Sequence, residues 1–241
     1  MVCSVMLNNR EVVAIIPVRG GSKGIPGKNL YRFGNDTLLE RTIKLSQKCD
    51  KIDKVIVSTD DDEMYAISKQ YGVNMKNKRS AELANDSAKT IDVVTHVLDE
   101  FELDDVYVVL LQVTSPLKML DDLNKLFDEF SSDKKAEAIV SLCAFDDPHP
   151  DKIQKIEYGY VKSYMGVESM VARQLLPKVY RLNGAFYLTH SDTIRYKKTF
   201  LPEKTIPFVM PEERSVNLDT MRDIFLLESL VDKKLIQIEE Y

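Results

Sequence analysis

The feature that most constrains the fold is an alternation of short, continuous apolar runs with segments of helical periodicity. Runs rich in Val, Ile and Leu occupy 12–16, 55–57, 106–111 and 139–142. They are continuous rather than alternating in polarity, as in a parallel sheet covered on both faces. Apolar residues at helical spacing lie between them, at 91–101 and 123–130. This repeated βαβ pattern predicts an α/β fold with a doubly wound, mostly parallel sheet.

Two pairs of polar residues indicate where helices begin. Thr37 is followed three residues later by Glu40, and Thr220 in the same way by Asp223. In a capping box of this kind, each side chain satisfies a free amide at the helix start. We therefore predict one helix after Thr37 and a last helix over 220–233.

The sheet pattern is interrupted over residues 148–177, which contain prolines, glycines and tyrosines. We predict that this segment leaves the sheet and contains a short hairpin around 157–160. The core pattern resumes at 181–188. We expect one domain over 1–241, with 148–177 as an insertion.

Composition restricts the class of protein. Of 241 residues, 44% are hydrophobic and 29% charged, which is typical of a soluble globular domain. The net charge of −5 argues against a nucleic-acid partner. No run approaches a membrane span, and the first ten residues lack the apolar core of a signal peptide, so we expect no membrane association and a cytoplasmic location. The spacing of Cys3, Cys49 and Cys143 favours neither a disulfide framework nor structural zinc.

A glycine-rich loop follows the first apolar run. Four of the nine glycines fall within 20–27, accompanied by Arg19, Lys23 and Lys28. The spacing fits neither the Walker A loop nor the dinucleotide fingerprint. Three cations at the carboxyl end of a strand predict a site for a highly charged anion such as a nucleoside triphosphate. A flexible turn with solvated lysines is the alternative.

Further polar clusters follow predicted strands or precede the last helix, at 58–60, 112–118 and 214–219. A triphosphate site needs cations, a carboxylate for a divalent metal, and amide or hydroxyl groups, all of which these clusters offer. Each residue also has a simpler interpretation. Asp60 and Asp219 suit the capping of helices, and Arg79 and Arg173 suit exposed ion pairs.

Taken in order, the segments 14–29, 56–60, 79–84, 111–117, 181–185 and 215–220 resemble the cytidylyltransferase family that makes CMP-sialic acid. The resemblance spans nearly the whole chain. It implies a Rossmann-like nucleotidyltransferase fold and a reaction with CTP, assisted by Mg²⁺. The acceptor it implies is the anomeric hydroxyl of a nine-carbon 2-keto acid sugar, namely sialic acid or a bacterial analogue such as legionaminic or pseudaminic acid. It also implies a homodimer in which 148–177 reaches a second subunit and contributes to the sugar site.

The resemblance also implies roles for individual residues. Nucleotide contacts would come from Arg19, Ser22, Lys23, Lys28, Asn29, Arg79 and Gln112. The catalytic set would be Arg19, Lys23, Lys28 and Asp219, and the sugar would meet Gln112, Arg173, Gln174 and Asn183. Arg173 is the candidate partner of the sugar carboxylate.

The chain departs from the family pattern at several positions. The family usually has two aspartates, two residues apart, as magnesium ligands, where this chain has Asn217 and Asp219. We expect Asp219 to bind the metal. Whether Asn217 is a second metal ligand stays open, because an amide oxygen brings no charge. Val113 and Lys118 stand where Pro and Arg are usual, and a lysine keeps the charge without the bidentate fork. An enzyme of the same fold with another sugar or nucleotide, and a non-catalytic nucleotide-binding protein, are the alternatives.

Overall fold

The computed structural model describes residues 7–145 and 147–241, and within them the chain forms ten strands and six α-helices. The strands are β1 (Val12–Pro17), β2 (Arg32–Phe33), β3 (Asp36–Thr37), β4 (Lys54–Ser58), β5 (Tyr107–Leu111), β6 (Ala138–Ala144), β7 (Gln154–Glu157), β8 (Tyr160–Ser163), β9 (Tyr180–His190) and β10 (Thr205–Met210). The helices are α1 (Leu38–Lys48), α2 (Asp62–Gln70), α3 (Ala81–Ala84), α4 (Thr90–Glu100), α5 (Leu120–Ser132) and α6 (Met221–Asp232).

The central sheet has six strands in the order β10-β6-β9-β5-β1-β4. β1 pairs in parallel with both β4 and β5, and β6 pairs in parallel with β10. β9 lies between β5 and β6 and is antiparallel to both. The predicted α/β class with a mostly parallel sheet is confirmed, and β9 runs antiparallel to both of its neighbours.

Helices cover both faces of the sheet, which explains why its strands are continuously apolar. In β1, Val12, Ala14 and Ile16 share a hydrophobic cluster with residues of α1, α5 and α6. Val13 and Ile15 belong to a second cluster built with α4. Alternate side chains of one strand therefore enter two different cores.

Both predicted pairs lie at helix starts. The Glu40 amide donates to Thr37 Oγ1 at 3.2 Å, and the Thr37 amide donates to Glu40 Oε2 at 2.7 Å. At the start of α6, Asp223 Oδ2 accepts from the Thr220 amide at 2.7 Å and from the Thr220 hydroxyl at 2.9 Å. The interpretation of Asp219 as a cap is therefore wrong, because Thr220 is the N-cap.

The segment between β6 and β9 leaves the sheet, as predicted, and forms the β7–β8 hairpin. Its turn is Tyr158–Gly159, both with positive φ, at 54° and 82°. This is the backbone that a tight two-residue hairpin turn requires, and the glycine adopts it without steric cost. Apolar side chains of the segment are exposed, among them Tyr158 at 95% and Met170 at 91%.

No helix in the described ranges is long and apolar enough to cross a membrane. Cys49 and Cys143 are buried free thiols, whereas Cys3 lies outside the described residues. The prediction for the first ten residues falls largely outside the described part of the chain as well.

β9 is irregular at Gly184, and this irregularity lies beside the site described below. Gly184 has φ +75°, and the pairing register with β6 shifts between Val140 and Leu142. The intervening Ser141 accepts a hydrogen bond from the Phe186 amide at 2.8 Å and donates to Asn183 Oδ1 at 2.6 Å. A buried serine and asparagine thus satisfy backbone groups that the bulge leaves unpaired.

Candidate functional site

A cleft of about 720 Å³ opens at the carboxyl ends of β1 and β5. Its walls come from residues of 17–29, 79–93, 112–114 and 217–219. The chain passes from β1 to β4 on one side and then crosses to β5 on the other, so the strand order reverses here. The crevice at such a switch point is where open α/β sheets bind ligands. The glycine-rich loop therefore lies where the sequence predicted it.

Neighbouring polar groups hold the glycine-rich loop in place. The Gly20 amide donates to Asp60 Oδ1 at 3.1 Å, and the Asn29 side-chain amide donates to the Arg19 carbonyl at 2.9 Å. Asn29 is buried and lines the cleft. The interpretation of Asp60 as a helix cap is wrong, because Asp61 caps α2 while Asp60 anchors the loop.

Two of the loop cations converge on one carboxylate. Arg19 Nη2 and Lys23 Nζ lie 2.9 Å and 2.5 Å from the oxygens of Asp86. Ser22 lines the cleft beside them. Both ion pairs are partly exposed, so they are weak and exchangeable. The structure thus shows two cations of the cleft paired with one carboxylate of the same chain.

The third cation ties the loop to the stretch before α6. Lys28 Nζ donates to the Leu218 carbonyl at 2.6 Å and contacts Asp219 Oδ1 at 3.3 Å. Gly24 touches the same stretch, since a Cβ built on Gly24 would lie 2.1 Å from the Asp219 carbonyl oxygen. Only glycine permits this close approach of the two backbone segments. The approach fixes the positions of Lys28 and Asp219 relative to each other.

Arg79 is buried beneath the loop rather than exposed. Its Nη2 donates to the Val18 carbonyl, its backbone amide donates to the Thr59 carbonyl at 2.8 Å, and its guanidinium lies 3.5 Å from Asp60. Burial lowers the pKa of Arg79, and the Asp60 carboxylate opposes that effect. Arg79 therefore stabilises the strand exit below the cleft, and the interpretation as an exposed ion pair is wrong.

Gln112 and Asn217 line the cleft, and Gly184 of β9 lies close to both of them. A Cβ on Gly184 would lie 2.7 Å from Gln112 Oε1 and 3.6 Å from Asn217 Oδ1. The glycine thus lets two amide oxygens approach the bulged strand closely. The Leu218 amide donates to the Thr114 carbonyl at 2.8 Å, which fastens this stretch to the loop after β5.

Asp219 and Asn217 offer neighbouring oxygen donors that fit a divalent cation. Asn217 Nδ2 donates to Asp219 Oδ2 at 2.7 Å. Asn217 Oδ1 is buried and has no hydrogen-bond partner among the described residues. A buried oxygen left unpaired is costly, and a bound cation would satisfy it. Mg²⁺ characteristically takes one or two protein oxygens together with substrate phosphates, so the donor set is suitable.

Lys118 lies below the loop that follows β5 and not at the cleft surface. It is 3% exposed, and its Nζ donates to the Gln112 carbonyl. Burial, with a smaller contribution from the charge of Arg41, lowers the pKa of Lys118 to about 7. The lysine supports the backbone of Gln112 from below the cleft surface.

The residues expected to contact the sugar are separated in the structure. Gln112 lines the cleft, whereas Arg173 and Gln174 lie in an exposed 3-10 helix over Arg173–Leu175 in the segment between β6 and β9. Asn183 is buried, and its side chain bonds Ser141 and Ser215 at 2.6 Å and 3.0 Å. The geometry thus gives Asn183 an internal structural role, and a sugar contact from these three residues stays a prediction.

The segment before α4 forms a cleft wall that sequence reasoning missed. Asn85, Asp86 and Ala88 line the cleft, together with Thr90, the first residue of α4. Small and polar residues in an irregular stretch resemble any surface turn, so pattern alone gave no signal. Asp86 is the informative member because of its contacts with two loop cations.

Comparison with known proteins identifies the family of the chain. The family model described as cytidylyltransferase matches residues 13–240. The N-acylneuraminate cytidylyltransferase of Streptococcus agalactiae serotype V is 31% identical over 217 residues, which cover 89% of this chain and 51% of that protein. The CMP-N,N'-diacetyllegionaminic acid synthase of Legionella pneumophila is 28% identical over 226 residues, which cover 92% and 97%. The chain therefore spans about half the length of the streptococcal relative.

Among solved structures, a CMP:2-keto-3-deoxy-manno-octonic acid synthetase complexed with CTP matches with a TM-score of 0.66. The match covers 93% of this chain and 99% of that chain at 16% identity, and it shows a shared fold. The Rossmann-like nucleotidyltransferase architecture is thereby confirmed. Since the family model covers nearly all of the sequence, this chain belongs to the cytidylyltransferase family of CTP-dependent nucleotidyltransferases.

Proposed function

We propose that the protein joins CTP to the anomeric hydroxyl of a nine-carbon 2-keto acid sugar, giving a CMP-sugar and pyrophosphate. The observation that carries the proposal is the cleft at the switch point, which is lined by Arg19, Lys23, Lys28 and Asp219. Relatives named for an acylneuraminate and a legionaminic acid support this class of acceptor.

In the proposed reaction, the anomeric oxygen forms a bond to the α-phosphorus of CTP. The bond from that phosphorus to the oxygen bridging to the β-phosphate breaks, pyrophosphate departs, and the hydroxyl proton of the sugar passes to solvent. Negative charge increases on the leaving group, so Arg19, Lys23 and Lys28 stabilise the transition state by neutralising it. Positioning and charge neutralisation then supply most of the catalysis.

We assign the remaining nucleotide contacts by position. Ser22, Asn29 and Gln112 line the cleft and offer hydrogen-bonding groups to cytidine or ribose. Arg79 acts in part through the Val18 carbonyl that it holds below the loop. When bound, Mg²⁺ supplies Lewis-acid polarisation of phosphoryl oxygens, and Asp219 with Asn217 Oδ1 would hold it.

We further propose that two copies of the chain form a homodimer through the segment between β6 and β9. Its exposed apolar side chains are unusually numerous for a free surface, with Ile156 and Leu175 at 78% and 77%. Arg173 lies in the same segment, outside the wall of its own cleft. A dimer that carries this segment to the partner's cleft would bring Arg173 to the sugar carboxylate.

Met170→Asp should convert the dimer to a monomer, because it places a charge in the apolar surface proposed to be buried. Tyr196→Asp is the matched control, since Tyr196 is also exposed, at 81%, but lies outside the segment. Light scattering measures the mass of each. A monomeric wild-type protein, or a dimer that survives Met170→Asp unchanged, would contradict this part of the proposal.

The choice of nucleotide tests the reaction itself. Pyrophosphate release measured with a nonulosonic acid acceptor and CTP, UTP, ATP or GTP should be fastest with CTP. Equal or greater rates with another nucleotide would point to a different nucleotidyltransferase of the same fold.

A further inference from the structure

The carboxylate of Asp86 pairs with two cations that line the cleft. It lies between Arg19 and Lys23, at 2.9 Å and 2.5 Å, and both cations line the cleft. These ion pairs lower the pKa of the Asp86 carboxyl, with the Lys23 hydrogen bond as the largest cause, so it is charged at neutral pH. A carboxylate and a phosphate oxygen make the same contacts with such cations, and they cannot both occupy them fully.

Asp86 belongs to residues 80–89, a segment that contains the short helix α3 and that we call the strap. The strap is mostly exposed and crosses from Arg79 to the start of α4. Its hydrogen bonds are local: Asn85 Oδ1 accepts from the amides of Ser87 and Ala88 at 2.8 Å and 3.0 Å. The ion pairs of Asp86 are its polar contacts with the glycine-rich loop. An exposed segment with few contacts to the rest of the protein can move when another anion replaces Asp86 in those ion pairs.

We propose that Asp86 is an internal competitor for the triphosphate, which holds the strap against the loop in the free protein and is displaced from Arg19 and Lys23 when nucleotide binds. The proposal rests on the proposed function for the identity of the ligand. The displaced ion pairs reduce the affinity for any ligand whose phosphates reach the two cations, and leave a ligand without phosphates unaffected. The same contacts re-form when pyrophosphate leaves.

The test compares Asp86→Asn with Glu82→Gln. Asp86→Asn removes the charge and keeps the size, whereas Glu82→Gln removes one charge from the strap at an exposed residue that has no ion pair in the described part of the chain. Calorimetry measures binding of CTP, cytidine and inorganic tripolyphosphate, without metal and with Mg²⁺. Because partly exposed ion pairs are weak, Asp86→Asn should bind CTP and tripolyphosphate about three- to tenfold more tightly. Cytidine affinity, and all affinities of Glu82→Gln, should change less than about twofold.

Hydrogen exchange gives a second readout. Strap amides of free Asp86→Asn should exchange faster than those of the free wild-type protein, because the contacts that hold the strap are gone. Weaker or unchanged binding of CTP and tripolyphosphate by Asp86→Asn would overturn the proposal, since Asp86 would then assist the ligand or its metal. If Asp86→Asn binds tripolyphosphate more tightly but CTP is not selected over other nucleotides, the proposal for Asp86 is supported and the proposal that CTP is the substrate is contradicted. Failure of every polyphosphate to bind either protein would overturn both.

Discussion

Gly24→Ala is expected to lower kcat/KM for cytidylyl transfer by about a hundredfold or more, although the substitution adds only a methyl group. The added Cβ would lie 2.1 Å from the carbonyl oxygen of Asp219, which is far inside van der Waals contact. Backbone cannot yield as a flexible side chain can, so the loop or the stretch before α6 must shift. That shift separates Lys28 from the Leu218 carbonyl and from Asp219.

Gly21→Ala is the control, because it lies in the same loop and a Cβ there meets nothing within 4 Å. Its kcat/KM should stay within about threefold of wild type, as for most exposed substitutions. Pyrophosphate release gives the rates, and thermal unfolding shows whether both variants fold. A folded Gly24→Ala protein with near wild-type activity would show that the close contact is not needed to assemble the site.

Asp219→Ala is expected to reduce kcat by about 10²–10³-fold while changing the dissociation constant of CTP only a fewfold. Asp219 offers the charged oxygen proposed to hold Mg²⁺, whereas the triphosphate keeps Arg19, Lys23 and Lys28. Loss of a group that acts mainly in the transition state lowers turnover more than binding. Single-turnover rates and calorimetry separate the two quantities.

Asp232→Ala is the matched control, since Asp232 is an exposed carboxylate at the far end of the same helix, α6. It should leave kcat unchanged. Asn217→Asp should act in the opposite direction to Asp219→Ala and lower the Mg²⁺ concentration for half-maximal rate, because it adds a charge beside Asp219. An unchanged kcat in Asp219→Ala would remove this residue from the mechanism. A loss confined to CTP affinity would instead limit Asp219 to nucleotide binding.

The sheet was predictable because its strands are buried on both faces. β1, β4, β5 and β6 carry continuous apolar runs, and their bounds agree with prediction within two residues. β10 was not predicted from the sequence. It is an edge strand that contains Pro207, and exposed residues interrupt its buried ones. Proline is tolerated there because the edge needs no amide on its outer side.

The site was predictable where the chemistry is local and unpredictable where it depends on distant contacts. The cations of the glycine-rich loop stand in one short stretch of sequence. The contact of Gly24 with Asp219, and those of Arg19 and Lys23 with Asp86, join segments far apart in the chain. Arg79 is buried in the structure. Its neighbours in the sequence are polar, so the sequence pattern does not reveal this burial.

The role of Asn183 depended on the bulge in β9. Its hydrogen bonds with Ser141 and Ser215 satisfy groups in the core, and this requirement arises only when Gly184 breaks the register. A polar residue before a glycine reads equally well as a ligand contact or as a support for strand geometry. Sequence pattern does not distinguish these two roles.

The most direct test of the central claim is the formation of a CMP-sugar from CTP, Mg²⁺ and a panel of nonulosonic acids. The panel should contain sialic, legionaminic and pseudaminic acids, with an eight-carbon keto acid for comparison. Pyrophosphate and the CMP-sugar, identified by mass spectrometry, should appear in equal amounts with at least one nine-carbon acid and faster than with the eight-carbon acid. A folded protein that binds CTP but forms no CMP-sugar with any nine-carbon acid would contradict the account.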